Sequence, residues 1–574
     1  MSLTRVAVAA VSALALLGAA AVPAAAEDPA KERPFGSEPQ PRLHRVELDA
    51  PRPPRFALGP AEALRVAAST EVVVDELAEN PATPQVFRRG YDDWQVSFFV
   101  GEGGGRTEVA EVIVDGSSGD VREAWRDHQV EVKLSRGYEG AVGGKTTAIW
   151  VWLPLCLVFF FAFFDRAQPL RLLHFDLLAL LGFSVSIFFF NRGEIVASVP
   201  LVYPFLVYLF VRLLIAGLWP RTRPGPLVPK LPIRFLAVVT VLLVSARVGL
   251  TLADDNVLDI GFAGVVGADR ISRGEGIYDG DFTPLIDRGD SYGPFNYLAY
   301  VPFEGAFPWQ RGTTNGLDAA KAASVFFDLL VIGGLLAAGR RLRDGPTGRD
   351  LGIVLAFAWV AYPFSTYALV SDSNDALVGA LMLAALLAFA SPPRGGVLVA
   401  LASAAKFGPL ALAPLFAAGP GDARIRRAIG FSIAFVAVWA LVLVPLLPDG
   451  GLREFYDRSF GYQASRGSPF SVWGLDPSLH SVQVAARIFP VVLGLAFFVW
   501  PVRRDRPQLA ALGAVLLIAT QIGSTHWFYF FIAWWAPLAL LALFAEHDEI
   551  SQPPVSPGSW ADNLPAPAAA APAA

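Results

Sequence analysis

Long apolar runs recur from residue 149 almost to the end of the chain, and they constrain the fold more than any other feature. They begin near Ile149, Leu172, Val196, Phe235, Ala319, Leu351, Ala376, Val397, Ala428, Ala486, Leu509 and Trp527. A helix needs about 20 mostly apolar residues to cross a bilayer. Only 17% of the residues are charged, whereas soluble domains carry about a quarter. The sequence therefore predicts a polytopic α-helical membrane protein and excludes a soluble multidomain enzyme.

The composition also narrows the partners and cofactors. The net charge is −5, and the chain has no long basic run, so nucleic acid is not an expected partner. The single cysteine, Cys156, lies in an apolar run and provides neither a disulfide framework nor a thiolate metal site. The six histidines show no metal-binding spacing. We expect no cofactor and no protein-bound metal, with a metal held by a pair of aspartates left open.

The N-terminus has the organisation of an exported segment. The basic start MSLTR, an apolar core and the small residues PAAAE predict a signal peptide over residues 1–26. Residues 27–58 are rich in proline and charge and predict an extended linker. The segments that follow should then lie outside the cell.

Residues 59–140 change to a foldable pattern. PAEALRVAASTEVVVDEL has helical spacing, whereas Trp94–Val100, Thr107–Asp115 and Asp120–Leu134 alternate with period two between glycine-rich turns. One helix on a small antiparallel sheet is predicted, which makes this a small α+β extracytoplasmic domain. Its sequence EVAEVIVDGSSGDVREAW resembles PepSY-like domains, and the resemblance implies a regulatory or binding module.

Lysine and arginine are distributed so that the topology can be predicted. Basic segments follow the third and fifth runs, and an acidic loop over residues 253–317 separates the fourth and fifth. The loop should be external, as should residues 448–485, and the tail over 546–574 should be cytoplasmic and disordered. This scheme gives three accessory helices over residues 146–218 and a module over residues 233–545.

One run breaks the alternation of charges. The segment over residues 397–417 has basic residues on both sides. A re-entrant hairpin bent at Lys406-Phe407-Gly408-Pro409 restores the alternation, and glycine and proline suit such a bend. The scheme then has about eleven spans plus the hairpin, with a single crossing as the alternative.

Carboxylates gather where the acidic loop leaves the membrane. Asp254, Asp255 and Asp259 follow the fourth run, and residues 259–272 have the spacing of a helix that would lie in the membrane interface. Asp259 would begin that helix, so N-capping is an alternative to a chemical role.

The order of several motifs resembles GT-C glycosyltransferases of the polyprenyl-phosphate-mannose-dependent, family-87 type. These motifs are DIGFAGVVGADRISRGEGIY, DSYGPFNYLAYVPF, SDSNDALVGALML and ASAAKFGPLALAPL, within residues 233–545. In that family the aspartate of the first external loop is the catalytic base, which implies this role for Asp259. The resemblance also implies substrate-binding roles for Tyr292, Asn374 and Lys406.

Transfer from a lipid phosphate requires a base and a cation. A carboxylate takes the acceptor proton, and positive charge stabilises the departing phosphate. Arg247 and Lys406 are the leading phosphate ligands because ionisable groups at membrane depth are functional by default. Further candidates, each with an alternative as a solvated or packed residue, are Arg458, Arg466 and His526. Asp254 and Asp255 would position the acceptor, whereas Asp176 and Asp328 would pair across helices.

The leading hypothesis is a membrane glycosyltransferase at the external face of the bacterial plasma membrane. Its partners would be membrane lipid, a polyprenyl-phosphate sugar (mannose is one candidate) and a glycan or glycolipid acceptor. A transporter or flippase of a lipid-linked or anionic solute is the alternative, although no internal repeat supports it. A third possibility is a sensor whose membrane part is structural.

Overall fold

The computed structural model describes the chain from residue 43 to residue 547, with gaps. The described residues are 43–89, 92–101, 107–126, 130, 143–219, 227, 231–253, 257–279, 282, 289–311, 317–419, 423–465, 468–501 and 505–547. The predicted signal peptide and nearly all of the predicted tail lie outside them, as do Asp254, Asp255 and Arg466.

The N-terminal region folds as an antiparallel sheet with two short helices. The five strands, in the sheet order β1-β2-β3-β4-β5, are β1 (Leu43–Val46), β2 (Thr83–Arg89), β3 (Asp93–Val100), β4 (Thr107–Asp115) and β5 (Val121–Arg126). Helices α1 (Pro60–Ala68) and α2 (Glu71–Glu79) precede β2. Alternate residues of β3, Trp94, Val96 and Phe98, are buried in the core, because successive side chains of a strand point to opposite faces.

This domain differs from the sequence prediction in two places. The predicted single helix is two helices, because Thr70 takes an extended conformation (φ −70°, ψ 141°) and interrupts the helical run. The predicted linker contains β1, whose Val46 pairs with Val86 of β2. The resemblance to PepSY-like domains stays a prediction.

The remainder of the described chain is almost entirely helical. The longer helices are α3 (Ile149–Phe161), α4 (Leu172–Phe190), α5 (Ile195–Leu218), α6 (Ile233–Ala253), α7 (Asp259–Ser272), α8 (Asp318–Leu342), α9 (Gly345–Ala361), α10 (Pro363–Val370), α11 (Asp375–Leu387), α12 (Pro392–Ala405), α13 (Arg424–Leu443), α14 (His480–Val499), α15 (Arg506–Ile522) and α16 (Ile532–Ala545). Short helical segments are Gly144–Thr147, Pro294–Leu298, Val301–Ala306, Gly408–Leu412, Ala413–Ala417, Val444–Leu446, Gly451–Tyr456, Asp457–Gly461, Tyr462–Ser465, Val472–Leu475, Pro477–Leu479 and Tyr529–Phe531.

Fewer helices have the length of a membrane span than the sequence predicts. Among the described residues, six helices are long and apolar enough, and a seventh span results if α9 and α10 count as one helix bent by 62°. The bend falls at Tyr362, which precedes Pro363 and is extended, as the residue before a proline usually is. Five further apolar helical segments have 10–17 residues. The architecture is that of a helical membrane protein, but a count of about eleven spans is not supported.

Several helices end together at one pole of the bundle, which we call the basic end. Arg506 donates to the carbonyl of Arg341 (3.3 Å) and Arg424 to that of Val499 (3.3 Å). Arg427 donates to the carbonyl of Phe389 (2.8 Å). The opposite pole is the site end, where the amide of Leu258 donates to the carbonyl of Ser371 (3.1 Å).

The chain reverses direction within the segment that the sequence analysis interprets as a hairpin. Helix α12 ends at Ala405, and Lys406 is extended (φ −138°, ψ 132°). The returning segment brings the ring of Phe416 to 6.2 Å from that of Phe389 at the basic end. Both legs therefore start and finish at the basic end, with Lys406 at the far tip, which is the geometry that a hairpin requires.

Candidate active site

A cavity of about 290 Å³ opens at the site end, where the hairpin tip meets the starts of several helices. Its lining residues include Leu258, Asp259, Ser291, Tyr292, Asp375, Lys406, Phe407, Gln463, Thr520, Gln521, Ser524, His526, Phe530 and Trp534. Four of the candidates from the sequence, Asp259, Tyr292, Lys406 and His526, are thus brought together. They come from segments far apart in the chain.

Asp259 is the exposed first residue of a helix that is otherwise buried over most of its length. Leu258 precedes it as an extended N-cap residue, and residues 260–269 are buried. The Oδ1 atom accepts from the amide of Ile260 (2.7 Å), and the Tyr292 hydroxyl lies 3.5 Å from Oδ2. A helix N-terminus favours a negative charge, and the carboxylate at this N-terminus lines the cavity. Helix α7 is enclosed by protein over residues 260–269, and its placement in the membrane interface stays a prediction.

Lys406 places its ammonium group in the cavity wall. Its Nζ atom lies 3.5 Å from Oδ1 of Asp375 and 5.2 Å from the ring centroid of Tyr292. The side chain is only 10% exposed, so its charge is largely withdrawn from water. A cation in such a place interacts more strongly with an anionic ligand than it would in water.

Asp375 is a cavity residue that the sequence analysis missed. It begins α11, and its carboxylate accepts hydrogen bonds from the Ser373 hydroxyl and the Trp534 indole. Within the motif SDSNDALVGALML the resemblance points to Asn374, whereas the structure places the next residue, Asp375, in the cavity wall. The sequence signal for Asp375 is a carboxylate at the start of an apolar run, and the same signal identifies Asp259.

His526 and its surroundings form another part of the cavity wall. Its Nδ1 atom lies 2.8 Å from the Ser468 hydroxyl, and its ring lies 5.3 Å from that of Phe470. Nearby, Gln521 is fixed by the indoles of Trp527 and Trp535, which donate to its Oε1 atom. These bonds orient the imidazole of His526 and the amide of Gln521 in the cavity wall.

Three predicted substrate-binding residues do not line the cavity. Arg247 is buried within the bundle, where it donates to Asp328 (2.8 Å) and to the carbonyl of Ser365 (3.0 Å). Asn374 is buried and donates to the amide oxygen of Asn296. Arg458 lies in the segment between α13 and α14 and pairs with Asp290 (3.0 Å). The position of a residue along an apolar run does not reveal which face of the helix carries its side chain. Arg247 lies on the face of α6 that is directed at Asp328.

The predicted pairing of intramembrane carboxylates is observed. Asp328 binds Arg247, and Asp176 binds Arg212 at 3.1 Å. Arg212 also binds Glu546 (2.7 Å), which ties α5 to the end of α16. Both pairs connect one helix to another, and neither pair lines the cavity.

A second hollow, the apolar groove, adjoins the cavity. It has a volume of about 570 Å³ and shares Phe407, Gly408, Gln463, Thr520 and Ser524 with the cavity wall. Its remaining lining includes Leu410, Ala411, Pro414, Pro490, Val491 and Leu495. Val491 and Leu495 are exposed on α14, so the groove runs from the cavity toward the outer surface of the helices.

Arg487 lies in the lining of this groove and was not singled out from the sequence. It donates to the carbonyls of Gly523 (3.4 Å) and Ala464 (3.2 Å) and to the hydroxyl of Thr525. None of these three partners is a carboxylate. Its position in the apolar run His480–Val499 was the signal that could have identified it.

Metal binding can be examined only for the described part of the chain. Within it, no three His, Cys, Asp or Glu side chains are grouped so as to hold a metal ion. Asp254 and Asp255 lie outside it. The expectation of a metal-free site therefore stays a prediction.

Comparison with known proteins gives one family match. Residues 291–525 match the sequence profile of glycosyltransferase family 87. The matched segment contains Tyr292, Asp375, Lys406 and Arg487, whereas Asp259 precedes it. No curated protein matches the chain. With the helical membrane architecture, the match supports an enzyme that is a membrane glycosyltransferase.

Proposed function

We propose that the protein transfers a sugar, with mannose as one candidate, from a polyprenyl-phosphate donor to a hydroxyl group of an extracytoplasmic glycan or glycolipid. One observation carries the proposal: the carboxylate of Asp259 and the ammonium of Lys406 line the same cavity. The similarity of residues 291–525 to glycosyltransferase family 87 supports it. The proposal includes no metal or other cofactor.

The reaction requires one proton transfer and one displacement. Asp259 takes the proton of the acceptor hydroxyl, and the acceptor oxygen forms a bond to the anomeric carbon of the donor sugar. The bond between that carbon and the phosphate oxygen breaks, and its electron pair leaves with the phosphate. Lys406 stabilises the negative charge that develops there. The products are the glycoside and polyprenyl phosphate.

The apolar groove suits the lipid part of the donor. Its apolar lining between the hairpin and α14 would take up an isoprenoid chain from the bilayer, and burial of apolar surface favours this by about 25 cal/mol per Å². Arg487 lies in the groove lining, which the cavity wall adjoins. We propose that Arg487 and Lys406 bind the phosphate of the donor. Arg487 thus takes the place of Arg247, which the sequence predicts as a phosphate ligand together with Lys406.

The distribution of charge favours an extracytoplasmic site. The basic end contains Arg341, Arg424, Arg427 and Arg506, which contact neighbouring segments there. Cytoplasmic segments of membrane proteins are enriched in lysine and arginine. Placing the basic end in the cytoplasm puts the cavity outside, on the side where the N-terminal domain would be exported.

Purified enzyme in proteoliposomes, given a radiolabelled polyprenyl-phosphate sugar and a glycan acceptor, tests the proposal. Asp259→Asn should lower the transfer rate by about 100-fold or more because general base catalysis is lost. Asp318→Asn is a matched control, since Asp318 is also the exposed first residue of a helix but is not among the residues that line the cavity. It should transfer at the wild-type rate.

Two results would overturn the proposal. Wild-type turnover by Asp259→Asn would remove this carboxylate from the mechanism. Accumulation of labelled sugar inside sealed vesicles without a new glycosidic product would instead support the transporter alternative.

A further inference from the structure

Residues 143–147, which lead from the side of the N-terminal domain into the first helix of the bundle, are packed against the site end. Thr146 within this segment is fully buried. The ammonium group of Lys145 donates to the carbonyl of Ala253, the last residue of α6. Connections between domains usually make few contacts, so this one is unusual.

Gly143 makes the closest approach in this segment. Its φ of +68° is a conformation that glycine adopts readily and other residues disfavour. A methyl group there would lie 2.3 Å from the ring of Tyr367 and 2.6 Å from the hydroxyl of Ser371. Both the conformation and the space therefore require glycine.

Three residues that this segment contacts, Ala253, Tyr367 and Ser371, are connected to the cavity. Ala253 ends the helix that precedes Asp259. The carbonyl of Ser371 accepts from the amide of Leu258 (3.1 Å), which lines the cavity. The ring of Tyr367 stacks at 4.8 Å on that of Phe530, another lining residue.

We propose that Gly143, Lys145 and Thr146 form a positioning segment for the active site. The segment lies against the two parts of the chain that carry the cavity carboxylates, the one leading to Asp259 and the one leading to Asp375. It thereby fixes the placement of Asp259 relative to Lys406, and it attaches the N-terminal domain at the point where that placement is set. The kinetic consequence rests on the proposed function, whereas the structural consequence does not.

The kinetic test uses substitutions in the positioning segment of the full-length enzyme. Gly143→Ala should lower kcat by about 10- to 100-fold, the effect of a misplaced reacting group, and leave KM for the donor unchanged. Gly451→Ala is the matched control, because Gly451 has the same φ of +68° but open space around it. Its kcat should equal that of the wild type.

Lys145 provides a milder variant in case Gly143→Ala does not fold. Lys145→Met should lower kcat by about two- to tenfold, the range for one lost hydrogen bond. Lys145→Arg keeps a donor and should restore most of the rate. Equal kcat values for Lys145→Met and the wild type would contradict a positioning role for Lys145.

A labelling experiment separates the positioning segment from the proposed function. Cys156 is the only cysteine, so Cys156→Ser with Leu258→Cys gives one reporter thiol at a buried position of the cavity wall. Added Gly143→Ala or Lys145→Met should raise its rate of maleimide labelling severalfold, and Gly451→Ala should not. Unchanged labelling in both variants overturns the inference. Faster labelling in a protein without transferase activity keeps the inference and refutes only the proposed function.

Discussion

The ammonium group of Lys406 lies 3.5 Å from the carboxylate oxygen Oδ1 of Asp375 in the wall of the cavity. The same oxygen accepts the indole N–H of Trp534, and the other accepts the hydroxyl of Ser373. Asp375 is therefore held firmly on two sides, and through it the tip of the hairpin is fixed to α11. Through this contact the ammonium group of Lys406 is held at a defined position in the cavity wall.

Asp375→Asn should separate positioning from binding. The lysine loses its charged partner, so we expect kcat to fall by about 10- to 100-fold, while KM for the donor stays equal or decreases because Lys406 is less neutralised. Steady-state kinetics with a polyprenyl-phosphate sugar measures both constants. Asp457→Asn, at an exposed carboxylate in the segment between α13 and α14, is the control. An increased KM with unchanged kcat would contradict a positioning role.

Arg487→Met should weaken donor binding. Loss of a charge-assisted hydrogen bond to the phosphate removes about 1.5–3 kcal/mol of binding free energy, so KM for the donor should rise by about tenfold or more. Arg453→Met removes a side chain that is 93% exposed in the segment between α13 and α14, so it should leave KM unchanged. Equal donor affinity of Arg487→Met and the wild type, measured by equilibrium binding, would exclude Arg487 from the phosphate site.

The buried pair of Arg247 and Asp328 should affect stability and not donor affinity. Arg247→Met leaves the carboxylate of Asp328 buried without its charged partner, which should lower the free energy of unfolding by about 3–5 kcal/mol. Thermal unfolding in detergent measures the effect as a lower Tm. The double variant Arg247→Met/Asp328→Asn should recover part of the loss. If the Arg247→Met variant folds and its KM for the donor is raised, Arg247 binds the donor phosphate and this prediction is wrong.

The stability of the turn between β4 and β5 should depend on pH because the turn contains the carboxyl group of Asp115. Hydrogen bonds from the hydroxyl of Ser117 and from Arg122 hold the pKa of this carboxyl well below its usual 3.8. A lowered pKa stabilises the folded turn at every pH above 3.8, and the stabilisation disappears as the pH falls through the lower folded value. Hydrogen exchange at the amides of Ser117 and Ser118, corrected for intrinsic rates, should show protection that is lost only in strong acid. Asp115→Ala, which removes the oxygen that accepts from these two amides, should lack it already at neutral pH; equal protection in both proteins would contradict this.

Local patterns in the sequence were enough to locate most helices and several strands. The apolar runs beginning near Leu172, Ala319 and Leu509 correspond to α4, α8 and α15. Strand β4 has the bounds that its period-two alternation predicts. The charges around residues 397–417 and the sequence Lys406-Phe407-Gly408-Pro409 located the reversal of the chain. These features are local, because hydrophobicity, periodicity and the backbone limits of glycine and proline act over a few residues.

The identity of the residues in the cavity depended on tertiary structure. The sequence predicts Asp259, Tyr292, Lys406 and His526 as site residues, and the structure places them in the wall of one cavity. The sequence also predicts Arg247, which lies away from the cavity, and does not single out Arg487, which lines the groove, although both arginines lie in apolar runs. The difference lies in what each arginine faces: Arg247 points at the carboxylate of Asp328, whereas Arg487 points at carbonyl and hydroxyl groups beside the groove. Asp375 likewise became a site residue only when folding brought the hairpin tip to it. Local sequence patterns establish that the chain forms apolar helices with charges at defined places along them. Which charges neutralise each other and which face a cavity was decided by helix packing, because the rotation of each helix is fixed only by its neighbours.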